Sequence, residues 1–254
     1  MIPCPTFSEY EKAVNFFGGK IIPFQTLNLS KDLQKFLKKI PIKGIVFICN
    51  PNNPTGEILS KKNMEKIVKL AEKKSTLVFV DETFIELVPD SNSSLVKTLK
   101  SYQNLFILRS FTKSFGLAGL RIGYALGSKK IIEILQRVKI PWNVNYIAQS
   151  AASAALCYSD FLEKSRKNIK KENLFLMNSL SKIEWLSCFP SSTNFILIKT
   201  KINSKSLQKK LLKKNILVRD CSTFSGLNEN YIRIAVKNRI QNKLLVKAFG
   251  EIKW

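Results

Sequence analysis

The chain has 254 residues, 45% of them hydrophobic, which is enough apolar material for one large core or for two unequal domains. It contains no histidine, so hydrolases with an imidazole base and the usual histidine-containing zinc sites are excluded. The five cysteines are scattered, odd in number and without metal-ligand spacing. We therefore predict no metal site and a cytoplasmic protein with reduced thiols.

The formal net charge of +24 raises the possibility of a nucleic-acid partner, because basic surfaces bind phosphate backbones. Nearly all of the excess is lysine spread along predicted solvent faces, and arginine forks with interleaved exposed aromatics are missing. We interpret the charge as a compositional bias and expect no specific nucleic acid, although a basic nucleic-acid-associated protein stays an alternative. No apolar stretch approaches the roughly 20 residues of a membrane span, so no membrane partner is expected.

Strands and helices are predicted to alternate through the first half of the chain. Residues 8–11 have the spacing of a capping box, and Gly18 is expected to end the helix that follows. Ser60 is expected to cap a second helix. Short, continuous apolar runs predict buried strands at 43–49, 76–81, 104–109 and 121–126.

The pattern changes after the last of these strands. Residues 129–182 are predicted to be mostly helical, with a break at Pro141. Further strands are predicted at 193–198, 215–219 and 231–236. The closing helix is predicted to bury one face made of Ile240, Leu244, Leu245, Ala248 and Phe249. These elements predict an α/β chain with a large domain over residues 1–160 and a smaller domain over residues 161–254.

Three polar segments directly follow predicted strands, where open α/β sheets bind their ligands. Residues 50–56 can be a tight turn or part of a binding site. Asp81 can be a helix cap or a desolvated carboxylate that needs a cation, such as a protonated pyridine nitrogen. In residues 110–123, hydroxyl side chains and an arginine lie near Lys113 in the sequence, and these are the groups that bind a phosphate monoester. The positive charge of this arginine also disfavours the ammonium form of Lys113 and so favours a neutral, nucleophilic amine.

The combination of Asn53-Pro-Thr-Gly56, Asp81 and Ser110-x-Thr-Lys113 with Arg121 resembles the pyridoxal phosphate (PLP)-dependent aminotransferase superfamily of fold type I, class I and II. The order and spacing match over essentially the whole chain. The resemblance implies a three-layer, aspartate aminotransferase-like α/β large domain with a smaller C-terminal α+β domain. It also implies an enzyme that uses PLP, takes a small phosphorylated amino-acid substrate and works as a homodimer.

The same resemblance implies a role for each candidate residue. Lys113 would bind PLP covalently as a Schiff base and move protons during catalysis. Asp81 would pair with the pyridine nitrogen and keep it protonated, and Asn53 would hydrogen-bond the ring O3′. The substrate would be held by Arg219 at its phosphate and by Arg233 at its α-carboxylate. The cofactor phosphate would be held by Ser110, Thr112 and Arg121.

Two subfamilies compete, histidinol-phosphate aminotransferases and threonine-phosphate decarboxylases. Residues 5–10, 141–145 and 218–227 look more like the decarboxylases. So does Phe84, at a position where the aminotransferases typically carry a tyrosine, although it can equally be a core aromatic. We therefore expect decarboxylation of L-threonine O-3-phosphate to aminopropan-2-ol phosphate for cobalamin biosynthesis. A histidinol-phosphate or other class I/II aminotransferase is the alternative.

The resemblance also implies a strand and a glycine-rich phosphate-binding loop ahead of Pro5, and neither is found in this sequence. We therefore expect the central sheet to have an unpaired edge. An inactive, shortened protein with the PLP fold is a further alternative.

Overall fold

The computed structural model describes residues 1–89 and 92–252. Within them, the strands form one two-stranded and two four-stranded sheets. The strands are β1 (Ile2–Cys4), β2 (Pro23–Gln25), β3 (Ile45–Cys49), β4 (Leu77–Asp81), β5 (Leu105–Ser110), β6 (Gly123–Gly127), β7 (Leu186–Cys188), β8 (Phe195–Thr200), β9 (Arg219–Asp220) and β10 (Tyr231–Ala235). The α-helices are α1 (Glu9–Phe16), α2 (Leu33–Lys39), α3 (Lys61–Lys73), α4 (Phe111–Ser114), α5 (Lys129–Val138), α6 (Tyr146–Leu156), α7 (Ser159–Leu180), α8 (Ser204–Leu212) and α9 (Arg239–Gly250).

The first four-stranded sheet has the order β3-β4-β5-β6, with three parallel strands and β6 antiparallel to β5. Cys49 pairs with Asp81, and Asp81 pairs with Leu108, so the three parallel strands end at the same edge. One face of this sheet is fully buried, and the aromatic side chains of the other face are partly buried, so the strands have continuous apolar runs. The four strands predicted for this region are confirmed, although the last is shifted to 123–127.

Helix α3 covers one face of this sheet. Four of its apolar residues are fully buried, and burial of the three larger side chains contributes about 2 kcal/mol each to stability. The predicted cap is confirmed, because Ser60 Oγ accepts a hydrogen bond from the Asn63 N–H at 3.3 Å. The buried residues of the helix are Met64, Ile67, Val68 and Ala71.

The capping box predicted at residues 8–11 is wrong. Ser8 precedes α1 but itself has helical dihedrals, and its side chain makes no capping bond to the helix backbone. A capping hydroxyl reaches the first N–H groups from an extended backbone, which Ser8 does not have. Gly18 does follow the end of the helix, in the left-handed region with φ +69°, as predicted.

The second four-stranded sheet has the order β7-β8-β10-β9 and is antiparallel throughout. Strands β8 and β10 confirm two of the predicted strands, with shifted ends. The strand predicted at 215–219 is wrong for 215–218, because Asn215 takes a left-handed conformation after α8 and only Arg219–Asp220 pairs with β10. In α9, Ile240 and Leu244 are exposed, so only the remaining apolar residues of the predicted face are buried.

The two four-stranded sheets lie on either side of α7 in the chain. Pro141 separates α5 from α6, as predicted. The boundary at residue 160 falls at the start of α7 and stays a prediction. None of the helices among the described residues combines the length and apolar character needed to cross a membrane.

Candidate active site

A cleft of about 390 Å³ brings together three residues that are far apart in the sequence. Lys113, Arg219 and Arg233 all line it. Phe84 and Asn194 contribute to the same wall. One amine and two guanidinium groups therefore share a single cavity, which suits an anionic ligand with a reactive carbonyl or amino group.

The position of Lys113 follows from the way β5 ends. Ser110 closes the strand in an extended conformation, and its Oγ accepts the Thr112 N–H at 3.1 Å to begin the short helix α4. Phe111 is buried and anchors this helix, while Lys113 is exposed toward the cleft it lines. The Ser110 hydroxyl proton is not used by this cap, so it can still be donated to a ligand.

The two arginines are direct cross-strand neighbours. Arg219 on β9 is the register partner of Arg233 on β10, so both side chains project from the same face of the sheet. Like charges in this arrangement repel each other and destabilise the sheet unless an anion lies near both. The pairing therefore marks this end of the cleft as an anion site.

Arg233 is the more buried of the two and has further partners. Its guanidinium donates a hydrogen bond to Asn53 Oδ1 and lies over the Phe195 ring, 4.9 Å from the centroid. Burial lowers the pKa of Arg233, and the nearby charge of Arg219 lowers it further. A bound carboxylate or phosphate would offset both effects.

Asn53 belongs to the turn at residues 50–56, which is both a tight turn and part of the site. The Gly56 N–H donates to the Asn52 carbonyl at 2.7 Å, and Gly56 has φ +72°. A Cβ at Gly56 would lie 2.1 Å from Ser191 Oγ, so the turn requires glycine. The turn places Asn53 next to Arg233. Their hydrogen bond connects the loop after β3 of the first sheet to β10 of the second sheet.

Asp81 is buried at the end of β4, one strand away from Lys113. Its Oδ2 accepts the Tyr10 hydroxyl at 2.6 Å, and its Oδ1 accepts the Thr83 N–H at 2.9 Å. Burial raises the pKa of Tyr10 well above its usual value, and the charges of Cys49 and Asp81 add to this effect. Tyr10 therefore stays protonated and donates to the carboxylate. Asp81 is therefore a buried carboxylate. The alternative of a helix cap is wrong, because the next helical turn, Ile85–Leu87, is preceded by Phe84.

The predicted phosphate-binding residues are only partly brought together. Ser110 pairs with Gly123, and the Phe111 N–H donates to the Ile122 carbonyl at 3.3 Å, so the segment that carries Arg121 approaches the start of α4. The Arg121 side chain is exposed and donates to the Ala118 carbonyl at 3.0 Å. Among the described residues, no hydrogen bond joins Arg121 to Ser110 or Thr112, and their shared role stays a prediction.

Sequence reasoning missed several residues of this region. Tyr10 is the partner of Asp81, and the Phe7 ring packs edge-on against it at 5.7 Å. The available signal was the pair of aromatic residues Phe7 and Tyr10 at the start of α1. Asn194 was missed as well, although it lines the cleft and its buried Oδ1 has no hydrogen-bond partner among the described residues. That oxygen is available to a ligand donor.

Residues 1–249 match the family model for aminotransferase class I and II. The chain belongs to this family. It is 36% identical to a histidinol-phosphate aminotransferase from Methanococcus aeolicus, over 99% of this chain and 68% of the relative. The chain therefore spans about two thirds of the length of such relatives.

Solved structures agree with this assignment. The histidinol-phosphate aminotransferase from Clostridium acetobutylicum superposes with a TM-score of 0.92 at 33% identity, covering 98% of this chain and 76% of that one. The L-threonine-O-3-phosphate decarboxylase from Porphyromonas gingivalis gives 0.87 at 25% identity, covering 98% of this chain and 75% of that one. The predicted family and the aspartate aminotransferase-like α/β fold are confirmed. So is the prediction of a PLP-dependent enzyme.

The residues present fit this cofactor. The cleft supplies the Lys113 amine and two guanidinium groups, the neighbouring strand ends in the buried Asp81 carboxylate, and Asn194 Oδ1 is an unpaired buried acceptor. PLP has an aldehyde that can react with an amine, a pyridine nitrogen whose protonated form pairs with a carboxylate, and anionic groups that bind guanidinium groups.

Proposed function

We propose that this chain binds PLP through Lys113 and transaminates a small phosphorylated amino compound of the histidinol phosphate type. The observation that carries the proposal is the cross-strand pair of Arg219 and Arg233, which lines one cleft with Lys113. A phosphorylated amine and a dicarboxylate amino donor both carry anionic groups that such a pair can bind.

Each residue has a definite task in this proposal. Lys113 Nζ holds the cofactor and moves the proton at the substrate Cα. The Asp81 carboxylate, fixed by Tyr10, holds the proton on the pyridine nitrogen. Asn53 is oriented by its bond to Arg233 and presents its amide to the ring hydroxyl. When bound, PLP acts as an electron sink for the charge that develops at Cα.

Transamination is favoured over the decarboxylation expected from the sequence segments. The Methanococcus aeolicus relative and the Clostridium acetobutylicum structure both bear the name of a histidinol-phosphate aminotransferase. The reaction depends on which Cα bond stands perpendicular to the cofactor ring, and contacts from the protein set that orientation. Histidinol phosphate has no α-carboxylate to lose, so cleavage of its Cα–H bond is the reaction open to it, and Arg233 would bind an anionic group of this substrate or of the amino-acid donor.

Decarboxylation of threonine phosphate is the second candidate, because of one residue. Phe84 lines the cleft and packs against the Phe195 ring at 5.1 Å. Phe84 has no hydroxyl that could bond the ring O3′ of the cofactor, so Asn53 is the proposed hydrogen-bond partner of that oxygen. The Porphyromonas gingivalis decarboxylase, similar in fold and 25% identical, supports keeping this reaction in the test.

The purified protein with PLP should be incubated with histidinol phosphate and 2-oxoglutarate, and separately with threonine O-phosphate. The proposal expects glutamate to form in the first mixture, as measured by mass spectrometry. Aminopropanol phosphate in the second mixture, without glutamate in the first, would establish decarboxylation instead. Lys113→Ala is the control and should abolish both products, together with the absorbance of the lysine-bound cofactor.

A further inference from the structure

Arg219 lies on the shortest strand of the second sheet. Strand β9 has two residues, occupies the outer position and pairs with β10 alone among the described residues. Arg233 is held more firmly, because β10 lies between two strands and the guanidinium of Arg233 also bonds Asn53. The Arg219 guanidinium reaches Thr223 Oγ1 at 3.5 Å, which is the outer limit of a hydrogen bond. Another element must therefore hold β9 if Arg219 is to meet a ligand in a fixed position.

Helix α8 contacts β9 on both sides of Arg219. Ser204 and Gln208 stand one helical turn apart, so their side chains leave the same face of the helix. The Gln208 Nε2 donates a hydrogen bond to the Val218 carbonyl at 2.7 Å. The Ser204 Oγ donates to Asp220 Oδ1, also at 2.7 Å. Val218 and Asp220 directly precede and follow Arg219, so the two bonds fix the backbone on either side of it.

Helix α8 packs against the core face of the second sheet. Neighbouring residues in a strand point to opposite faces, so Asp220 shares one face with its register partner Ile232. Arg219 shares the other face with Arg233. Ile232 is buried in the same core cluster as Leu207 of α8. The helix therefore supports β9 from the core side and leaves the Arg219 guanidinium free to project into the cleft.

Ser204 and Asp220 are themselves held in place by further bonds. Ser204 is fully buried, and its N–H donates to the Glu229 carbonyl at 2.6 Å. Asp220 also accepts the Ser222 N–H and the Ser222 hydroxyl, each at 2.9 Å. Burial opposes ionisation of Asp220, but the hydrogen bonds from Ser204 and Ser222 outweigh it and lower the pKa of this carboxyl. The bond from Ser204 is therefore charge-assisted at neutral pH, which makes it stronger than a bond between neutral groups.

We propose that Gln208 and Ser204 are positioning residues that hold Arg219 where it can bind one anion together with Arg233. This inference rests on the proposed function, because it concerns the same anion-binding cleft. Two guanidinium groups on adjacent strands bind an anion jointly only while the strands keep their register and separation. Among the described residues that line the cleft is Gln208, but not Ser204. A similar effect of substitutions at both positions therefore distinguishes positioning from direct contact with the ligand.

Calorimetric titration of inorganic phosphate into the full chain with PLP measures the affinity of the arginine pair, and Arg219→Gln defines its loss. Gln208→Met keeps the length of the side chain but removes the donor, and it should weaken phosphate binding about threefold or more. Ser204→Ala should act in the same direction. In the Arg219→Gln background neither change should weaken binding further, because the group that they position is absent. Gln149→Met on α6 is the matched control, since Gln149 also donates to a backbone carbonyl, that of Val144 at 3.0 Å, and its loss should leave phosphate binding unchanged.

Steady-state kinetics separates positioning from a general loss of stability. With histidinol phosphate, Gln208→Met should raise KM about threefold or more and leave kcat nearly unchanged, whereas partial unfolding would lower kcat and leave KM as it was. The positioning role is overturned if Gln208→Met and Ser204→Ala bind phosphate as tightly as the parent, or if their effects add to that of Arg219→Gln. It is also overturned if Arg219→Gln itself leaves phosphate binding unchanged. Phosphate binding that follows these expectations in a chain without turnover would support the positioning role and overturn the proposed function.

Discussion

Arg219 and Arg233 set the anion affinity of the cleft, because two guanidinium groups share one face of neighbouring strands. Arg219→Gln should raise KM for the phosphorylated substrate on the order of tenfold or more, since a charge-assisted hydrogen bond is lost. The same change removes a repulsion, so the free energy of unfolding without substrate should rise slightly. Steady-state kinetics and urea unfolding measure the two effects.

Arg137→Gln is the control, because it removes one positive charge from the exposed helix α5. It should leave KM unchanged. If both variants raise KM equally, the effect comes from the overall charge and not from the arginine pair.

Cys49 links stability to alkaline pH. Burial, followed by the charge of Asp81, raises the pKa of its thiol from 9.0 to about 12. Between these values only the unfolded chain loses the proton, so the contribution is complete below about pH 9 and is lost as the pH rises toward 12. This thiol gives the free energy of unfolding a negative slope of up to about 1.4 kcal/mol per pH unit.

Cys49→Ala should therefore flatten the alkaline decline of the free energy of unfolding, measured by urea titration from pH 8 to pH 11. Cys157→Ala at an exposed position is the matched control and should leave the slope unchanged. An identical slope in all three proteins would contradict the assignment.

At the scale of the elements, an ionic network ties together the strand ends that carry the site. Arg109 on β5 contacts Glu82 Oε2 at 2.8 Å and Glu86 Oε1 at 3.1 Å, and the Glu82 side chain is fully buried. Glu82 follows Asp81, and Arg109 precedes Ser110, so the pair holds the ends of β4 and β5 in register.

Arg109→Met should lower the free energy of unfolding by about 3–5 kcal/mol, because it leaves a buried carboxylate without its cation. Lys61→Met is the control. It removes a half-exposed helix pair with Glu65 at 3.8 Å, which is worth less than about 1 kcal/mol. Similar losses in urea unfolding for both variants would show that the network adds nothing beyond a surface pair.

The strands of the first sheet could be predicted from the sequence because one face is fully buried and the other partly buried, which gives uninterrupted apolar runs. The secondary-structure predictions were wrong where the local sequence pattern favours one conformation and the folded chain adopts another. Residues 215–218 are apolar enough for a strand, but the turn at Asn215 uses them to connect α8 to β9. The Ser8 spacing fits a capping box, yet the backbone conformation that makes the cap is not encoded in that spacing.

At the scale of the whole molecule, sequence motifs could point to candidate site residues but not to most of their contacts. The sequence motifs identified Lys113, Arg219 and Arg233, and the structure brings these three into one cleft. The pairing of Arg219 with Arg233 depends on strand register, which no motif contains. The Tyr10 bond to Asp81 joins residues 71 positions apart, so local spacing could not reveal it.

The net charge of +24 and the arginine pair each predict a dependence of Tm on added salt. Self-repulsion among the basic residues destabilises the compact state, so sodium chloride should raise Tm by screening. Phosphate at equal ionic strength should raise Tm further, because it also binds between Arg219 and Arg233 and stabilises the folded chain by mass action. Differential scanning fluorimetry measures both shifts.

Arg219→Gln distinguishes the two contributions. It should keep the response to sodium chloride, since one charge among 42 basic residues changes screening little. It should lose the additional stabilisation by phosphate, because the remaining guanidinium of Arg233 no longer has a neighbour that shares the anion. An equal phosphate increment in both proteins would place the bound anion elsewhere on this basic surface and remove the pair as the anion site.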